Sequence, residues 1–144
     1  ISDQTAYKMI YMLRGGTEEQ EGTSLGLSRE LRIDNEIGGK TGTTNDASDG
    51  WYIGVTHDLV SGAWVGGDER AIHFPSWTFG QGGKSARPIW DIFMRKVYAD
   101  TATGIVKGQF RRPASGLDIT LDCSRHNLPD SLQLTDEEPW DLDN

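Results

Sequence analysis

Between residues 36 and 66 three strand-forming runs follow one another, separated by turn-forming residues, and together they read as an antiparallel meander. The first approaches through Glu36-Ile37-Gly38, passes Gly39-Lys40-Thr41-Gly42-Thr43 and breaks at Thr44-Asn45-Asp46. The second, Trp51 to Thr56, sets Trp51, Ile53 and Val55 against Tyr52, Gly54 and Thr56, the period of two that a pleated strand imposes. His57-Asp58 through Ser61-Gly62 turns the chain, and Ala63-Trp64-Val65-Gly66 returns it.

Helical spacing flanks the meander on both sides. Gln4 to Arg14 places Ala6, Met9, Ile10 and Leu13 on one face, with Ser2 or Asp3 to cap its start and Gly15-Gly16 to end it. Gly15 to Gly22 is polar and acidic and reads as an exposed loop. Thr23 or Ser24 caps a short second helix through Leu31, with Leu27 and Leu31 facing inward, and Asp34-Asn35 turns the chain into the Lys40 strand. Ala86 to Tyr98, capped by Ser85 with Pro88 in its first turn, is expected to bury Ile89, Trp90, Phe93 and Val97. Amphipathic helices packed on one face of an antiparallel meander give an α+β fold.

Two stretches are less determined. Asp68 to Lys84 is long, glycine-rich and aromatic, either a rim over a binding groove or a loop whose aromatics pin it to the domain. After Thr103 the signal thins, so residues 1–103 read as the folded unit and 104–144 as an extension. Within it Gly116 to Asp122 alternates like an edge strand, and the acidic end reads as a solvated tail.

Composition removes several function classes. A net charge of −8 and a pI near 4.7 argue against a nucleic-acid partner, which demands a basic face. No run of 18 apolar residues and no signal peptide occur, so no membrane segment is expected in this chain, and any anchor would lie upstream. The lone Cys123 cannot form an intrachain disulfide and reads as an inert thiol. His57, His73 and His126 are too widely spaced for a metal site, and no cofactor is implied.

The chemistry concentrates at Lys40-Thr41-Gly42-Thr43-Thr44. Glycine lets a ligand approach the backbone, lysine supplies charge, and each threonine offers a hydroxyl donor besides its N–H. Such a strand edge suits an anion. A phosphate loop ending in Gly39-Lys40-Thr41 would need glycine where Asp34 stands and a helix where Gly42-Thr43-Thr44-Asn45-Asp46 opens a turn, so that reading fails. A glycine-rich hairpin without chemistry stays open on these residues alone.

Lys40 to Asp46, followed by Asp49-Gly50-Trp51-Tyr52-Ile53-Gly54, resembles the third active-site motif and next strand of the penicillin-binding transpeptidases, most closely the bifunctional class A peptidoglycan synthases. The likeness extends upstream to Ile1 through Met9, similar to the family's helix before a glycine-rich loop. Downstream, Ala63 to Asp68 and Ala86-Arg87-Pro88-Ile89-Trp90 resemble the next strand and the closing helix. It covers about residues 1 to 100. The S-x-x-K and S-x-N elements are missing: no serine has lysine three residues on or asparagine two residues on.

The resemblance therefore implies the C-terminal part of a penicillin-binding, serine β-lactamase-like transpeptidase domain, whose nucleophile lies upstream in the same polypeptide. It implies cross-linking of peptidoglycan stem peptides through an acyl-serine, reaction with β-lactams, and an extracytoplasmic location on the periplasmic face of the bacterial inner membrane. On it, Lys40 raises positive potential and aids proton traffic, and Thr41 and Thr43 hold the substrate carboxylate. The Thr43 N–H becomes an oxyanion donor, Gly42 leaves room for the acyl group, and Thr44 completes the substrate strand. Trp51 is expected to pack the sheet. A D,D-carboxypeptidase or β-lactamase on the same scaffold, or a non-catalytic muropeptide- or partner-binding module, would share these residues.

Overall fold

The computed structural model describes residues 1–121 of the chain. Helix α1 (Asp3–Glu18) leads to a single helical turn, α2 (Arg29–Arg32), and then to strands β1 (Gly38–Thr43), β2 (Asp49–Val55) and β3 (Val60–Gly66). A second helical turn, α3 (Trp77–Gly80), precedes the long helix α4 (Ala86–Ala99). The strands form one antiparallel sheet in the order β1-β2-β3, the meander the turn residues predict. With its helices the fold is mixed α+β.

The pleat decides which residues reach the core. Gly50, Tyr52 and Gly54 of β2 are buried, whereas Trp51 and Ile53 on the other face are exposed. Tyr52 meets Trp90 of α4 edge-on at 5.2 Å between ring centres, an arrangement worth about 0.5–1.5 kcal/mol beyond burial. Gly54 lies beneath that indole, whose ring occupies the space a Cβ would need. Leu27, Leu31, Ile37, Ala86 and Met94 complete the core. The Trp90 Nε1–H donates to Ser61 Oγ at 2.8 Å, so the indole brings a satisfied polar group into the α4–β3 contact.

Helix α4 buries Trp90 as expected, while Val97 is half-buried and the rest of the buried stripe differs from the expected one. Ala86, Trp90, Asp91 and Met94 are buried, while Ile89 and Phe93 are about half exposed (50% and 46%). Residues 86, 90 and 94 stack at intervals of four and form the face that fits the sheet. Hydrophobicity alone favours the larger Ile89 and Phe93. The polar Asp91 is held by the Ser28 N–H at 2.6 Å and by Arg95 Nε at 3.0 Å.

Helix α1 does not stop at Gly15-Gly16 but runs to Glu18. Its Gly16 lies so near the Gly39 carbonyl that a Cβ would stand 2.9 Å from that oxygen, so this glycine admits β1 rather than ending the helix. Thr17 donates to Arg14 O at 2.8 Å and to Ile37 O at 2.6 Å, tying the last turn to the strand entry. The second helix is shorter than expected, because Ser24 is buried and accepts a hydrogen bond from the Tyr52 hydroxyl instead of capping. Ser85 likewise does not cap α4; its hydroxyl donates to Gln81 O at 3.0 Å.

Contacts with the core continue past residue 103. Phe110 is buried; its N–H donates to Glu36 Oε2 at 2.7 Å, and the Glu36 N–H donates to Gly108 O at 2.9 Å. The other Glu36 oxygen pairs with Arg14 Nη1 at 2.8 Å, so one carboxylate joins α1, the entry to β1 and the segment after α4. The edge strand expected over 116–122 is absent as far as Leu121. Gly116 takes a left-handed φ of 75° in a turn, and Asp118 forms an ion pair with Lys8 of α1, which holds the segment on the helix rather than on the sheet. Asp122, Cys123, His126 and the acidic end lie outside the described residues.

Candidate functional site

Register sorts the candidate residues of β1 onto two faces. Thr41 lies opposite Tyr52 and Thr43 opposite Gly50, on the face that looks toward α4. Lys40 lies opposite Ile53 and Gly42 opposite Trp51, on the other face. Thr41 and Thr43 line one cavity of about 290 Å³, together with Thr23, Trp77, Gln81, Gly83, Lys84 and Arg87.

Each hydroxyl in that cavity is available to a ligand. Thr43 Oγ1 accepts the Gly82 N–H at 3.1 Å, which fixes the oxygen and leaves its own hydrogen to donate. The Thr41 hydroxyl has no hydrogen-bond partner among the described residues. The Thr44 N–H crosses to Asp49 O at 3.1 Å, and alternation along a strand then turns the Thr43 N–H toward the open edge of β1. This strand thus offers two side-chain donors and one edge-directed main-chain donor.

The Lys40 side chain leaves β1 on the face opposite Thr41 and Thr43. Its side chain is exposed, and Nζ donates to Thr41 O at 2.7 Å. Gly42 lies over Trp51, where a Cβ would come within 3.3 Å of the Trp51 Cβ. Thr44 serves the turn: its oxygen accepts the Asp49 N–H at 2.8 Å and shares a 2.9 Å hydrogen bond with Ser48 Oγ. Asp49 in turn accepts the Trp64 Nε1–H at 3.0 Å, and Trp64 leans on Trp51 at 6.3 Å between ring centres. Trp51 packs on the exposed face of the sheet, away from the cavity.

Beneath the cavity face, burial pushes the Tyr52 phenol above its ordinary pKa, against the opposing pull of its Ser24 hydrogen bond and of the nearby Arg87 charge. Tyr52 therefore stays a neutral donor to Ser24 Oγ at 3.1 Å through the physiological range. Arg87 reaches from the first turn of α4 to donate from Nη1 to Thr23 O at 2.8 Å.

The sequence does not place Thr23, Lys84 and Arg87 at the site, because they are distant from Thr41 along the chain. One signal was present: from Arg70 to Trp90 there is no aspartate or glutamate, although the chain is strongly acidic. The aromatics of the 68–84 stretch divide. Trp77 borders the cavity, whereas His73 and Phe74 line a separate hollow of about 260 Å³ with Val65 and Ile72. Among the described residues no group of acidic, histidine and cysteine side chains is placed to hold a metal ion, and no helix is long and apolar enough to cross a membrane.

No family model matches the chain. Penicillin-binding protein 1A of Pseudomonas aeruginosa is 39% identical over 98 residues, covering 65% of this chain and 11% of the relative. The Escherichia coli protein of the same name is 34% identical over 119 residues, covering 75% of this chain and 13% of the relative. The crystal structure of penicillin-binding protein 1A from Haemophilus influenzae superposes with a TM-score of 0.61 at 29% identity, over 78% of this chain and 17% of that one. The chain thus spans between about a tenth and a fifth of the length of these relatives. Sequence and fold agree, and the chain belongs to the penicillin-binding protein family.

Proposed function

We propose that this chain supplies the Lys-Thr-Gly strand of a serine D,D-transpeptidase that cross-links peptidoglycan stem peptides and is acylated by β-lactams. The observation that carries the proposal is the pairing of Thr41 and Thr43 in one cavity, with the Thr43 oxygen fixed by the Gly82 N–H and its hydrogen free. A stem peptide ends in a carboxylate, and two hydroxyl donors on one strand face suit its two oxygens. The serine that attacks the peptide carbonyl is contributed by sequence outside this chain, since no serine here has lysine three residues on.

On this reading acylation proceeds through a tetrahedral oxyanion. The Thr43 N–H, directed at the strand edge, donates to that oxygen. A preorganised donor of this type is worth about 10²–10³ in rate. The acyl group then passes from serine to an amine on a neighbouring strand. Lys40, on the opposite face from Thr41, raises positive potential beside the proton-transfer groups contributed from outside this chain. Thr44 holds the turn that keeps Thr43 at the strand end, a supporting role instead of a contact with substrate. The setting is extracytoplasmic, with the membrane anchor elsewhere in the polypeptide.

Thr43→Ala tests the reading, because it removes the hydroxyl and keeps the N–H. Losing one hydrogen bond to a charged group costs ~1.5–3 kcal/mol, about ten- to a hundredfold in acylation efficiency. In the full-length protein the loss is expected for a penicillin carrying its free carboxylate and not for the corresponding methyl ester. Equal losses for acid and ester would remove Thr43 from carboxylate recognition.

A further inference from the structure

We infer that Arg87, assisted by Lys84, is the specificity-determining cation of the cavity and neutralises the carboxylate that Thr41 and Thr43 bind. This rests on the reading of β1 as the carboxylate-binding strand. Two neutral hydroxyls cannot by themselves compensate an ion moved from water into a cavity walled by Trp77; a charged donor is needed. Lys40 does not fill that need, because it lies on the other face of β1 with its amine on the Thr41 carbonyl.

Arg87 is placed to do so. It lines the same cavity as both threonines, and its Nη1 bond to the Thr23 carbonyl fixes the guanidinium in position. A guanidinium has five N–H donors in a planar fork, and only one is given to a described residue, so the others remain for an anion. Among the described residues neither Arg87 nor Lys84 has a carboxylate at ion-pair distance, whereas Arg14 and Arg95 each have one. The chain's acidity is withheld here, with no aspartate or glutamate from Arg70 to Trp90.

Space for the ligand lies above Gly83. A carbon placed there as a Cβ would stand 3.7 Å from Thr41 Cγ2 and 3.9 Å from Arg87 Nη1, ordinary contact distances to both sides of the cavity. A group seated over Gly83 therefore lies between the Thr41 methyl, the Thr23 carbonyl that Arg87 already bonds, and the Arg87 guanidinium. Lys84 is exposed and contributes through the field it adds at the rim.

Acylation efficiency toward benzylpenicillin and toward its methyl ester, measured in the full-length protein, tests this. Arg87→Gln is expected to lower the rate for the acid about ten- to a hundredfold and to leave the ester nearly unchanged. Arg87→Lys is expected to recover part of the preference for the acid. Lys84→Glu, at an exposed position where folding is not at stake, is expected to slow the acid several-fold and spare the ester. Equal losses for acid and ester in Arg87→Gln would mean that Arg87 only holds the Thr23 loop, and unchanged rates would mean that it has no role. Selective loss in Thr43→Ala without selective loss in the Arg87 and Lys84 variants overturns this inference alone. Absence of selective loss in all of them overturns the carboxylate reading of β1 as well.

Discussion

At the scale of single residues, the candidate motif divides into groups with separate duties. Thr41 and Thr43 share a cavity, Thr44 closes a turn, and Lys40 projects from the opposite face. Their order was legible in the sequence, because a period of two puts positions 41 and 43 together wherever the strand lies. That Thr44 is occupied by Asp49 and Ser48 was not legible, since it depends on how the connection folds back. Lys40 gives a direct test of electrostatic against packing roles. Its side chain is exposed and makes one hydrogen bond, to its neighbour's carbonyl. Lys40→Ala in the full-length protein is expected to slow β-lactam acylation by orders of magnitude while leaving the melting temperature nearly unchanged. Acylation within a factor of two of wild type would make Lys40 a surface lysine.

At the scale of elements, β2 and α4 depend on each other. The alternation of β2 fixes that Tyr52 and Gly54 share a face, and α4 meets that face with Trp90. An added methyl at Gly54 would overlap the Trp90 ring, and the indole is held by its bond to Ser61. Gly54→Ala is therefore expected to destabilise the fold by ~1–3 kcal/mol, the usual cost of overpacking a core. Thermal unfolding should read this as a lowered melting temperature, and an unchanged one would mean that the helix shifts freely over the sheet. The helix itself was legible from its spacing, but not its buried stripe. Its apolar residues extend around too much of the circumference, with Ile89, Ile92 and Phe93 beside Trp90 and Met94, for hydrophobicity to choose among them.

At the scale of the whole molecule, the chain carries the Lys40-Thr41-Gly42 strand and no serine with a lysine three residues on. The 144-residue chain incubated with a β-lactam is expected to keep its unmodified mass, because none of its serines is followed by lysine three residues on. A stoichiometric acyl adduct in intact-mass analysis would place an activated serine within it. Among the described residues, Phe110 is buried beyond residue 103 and its N–H bonds the Glu36 carboxylate. Nothing in the local sequence of 104–121 signals that contact, since its partners lie more than seventy residues away.

What the sequence determined by itself was local and periodic. It specified the meander, the two long helices, the grouping of Thr41 with Thr43, and the ordered blocks that carry the family resemblance, because strand alternation and turn chemistry act between near neighbours. The tertiary structure decided which face each element turns inward, where α1 ends, and what surrounds the candidate site. Gly16 reads as a helix stop until the Gly39 carbonyl lies against it, and Arg87 reads as a surface cation until α4 places it in a cavity with Thr41. Those outcomes follow from contacts between segments remote in sequence, whose energies exist only once the chain has folded.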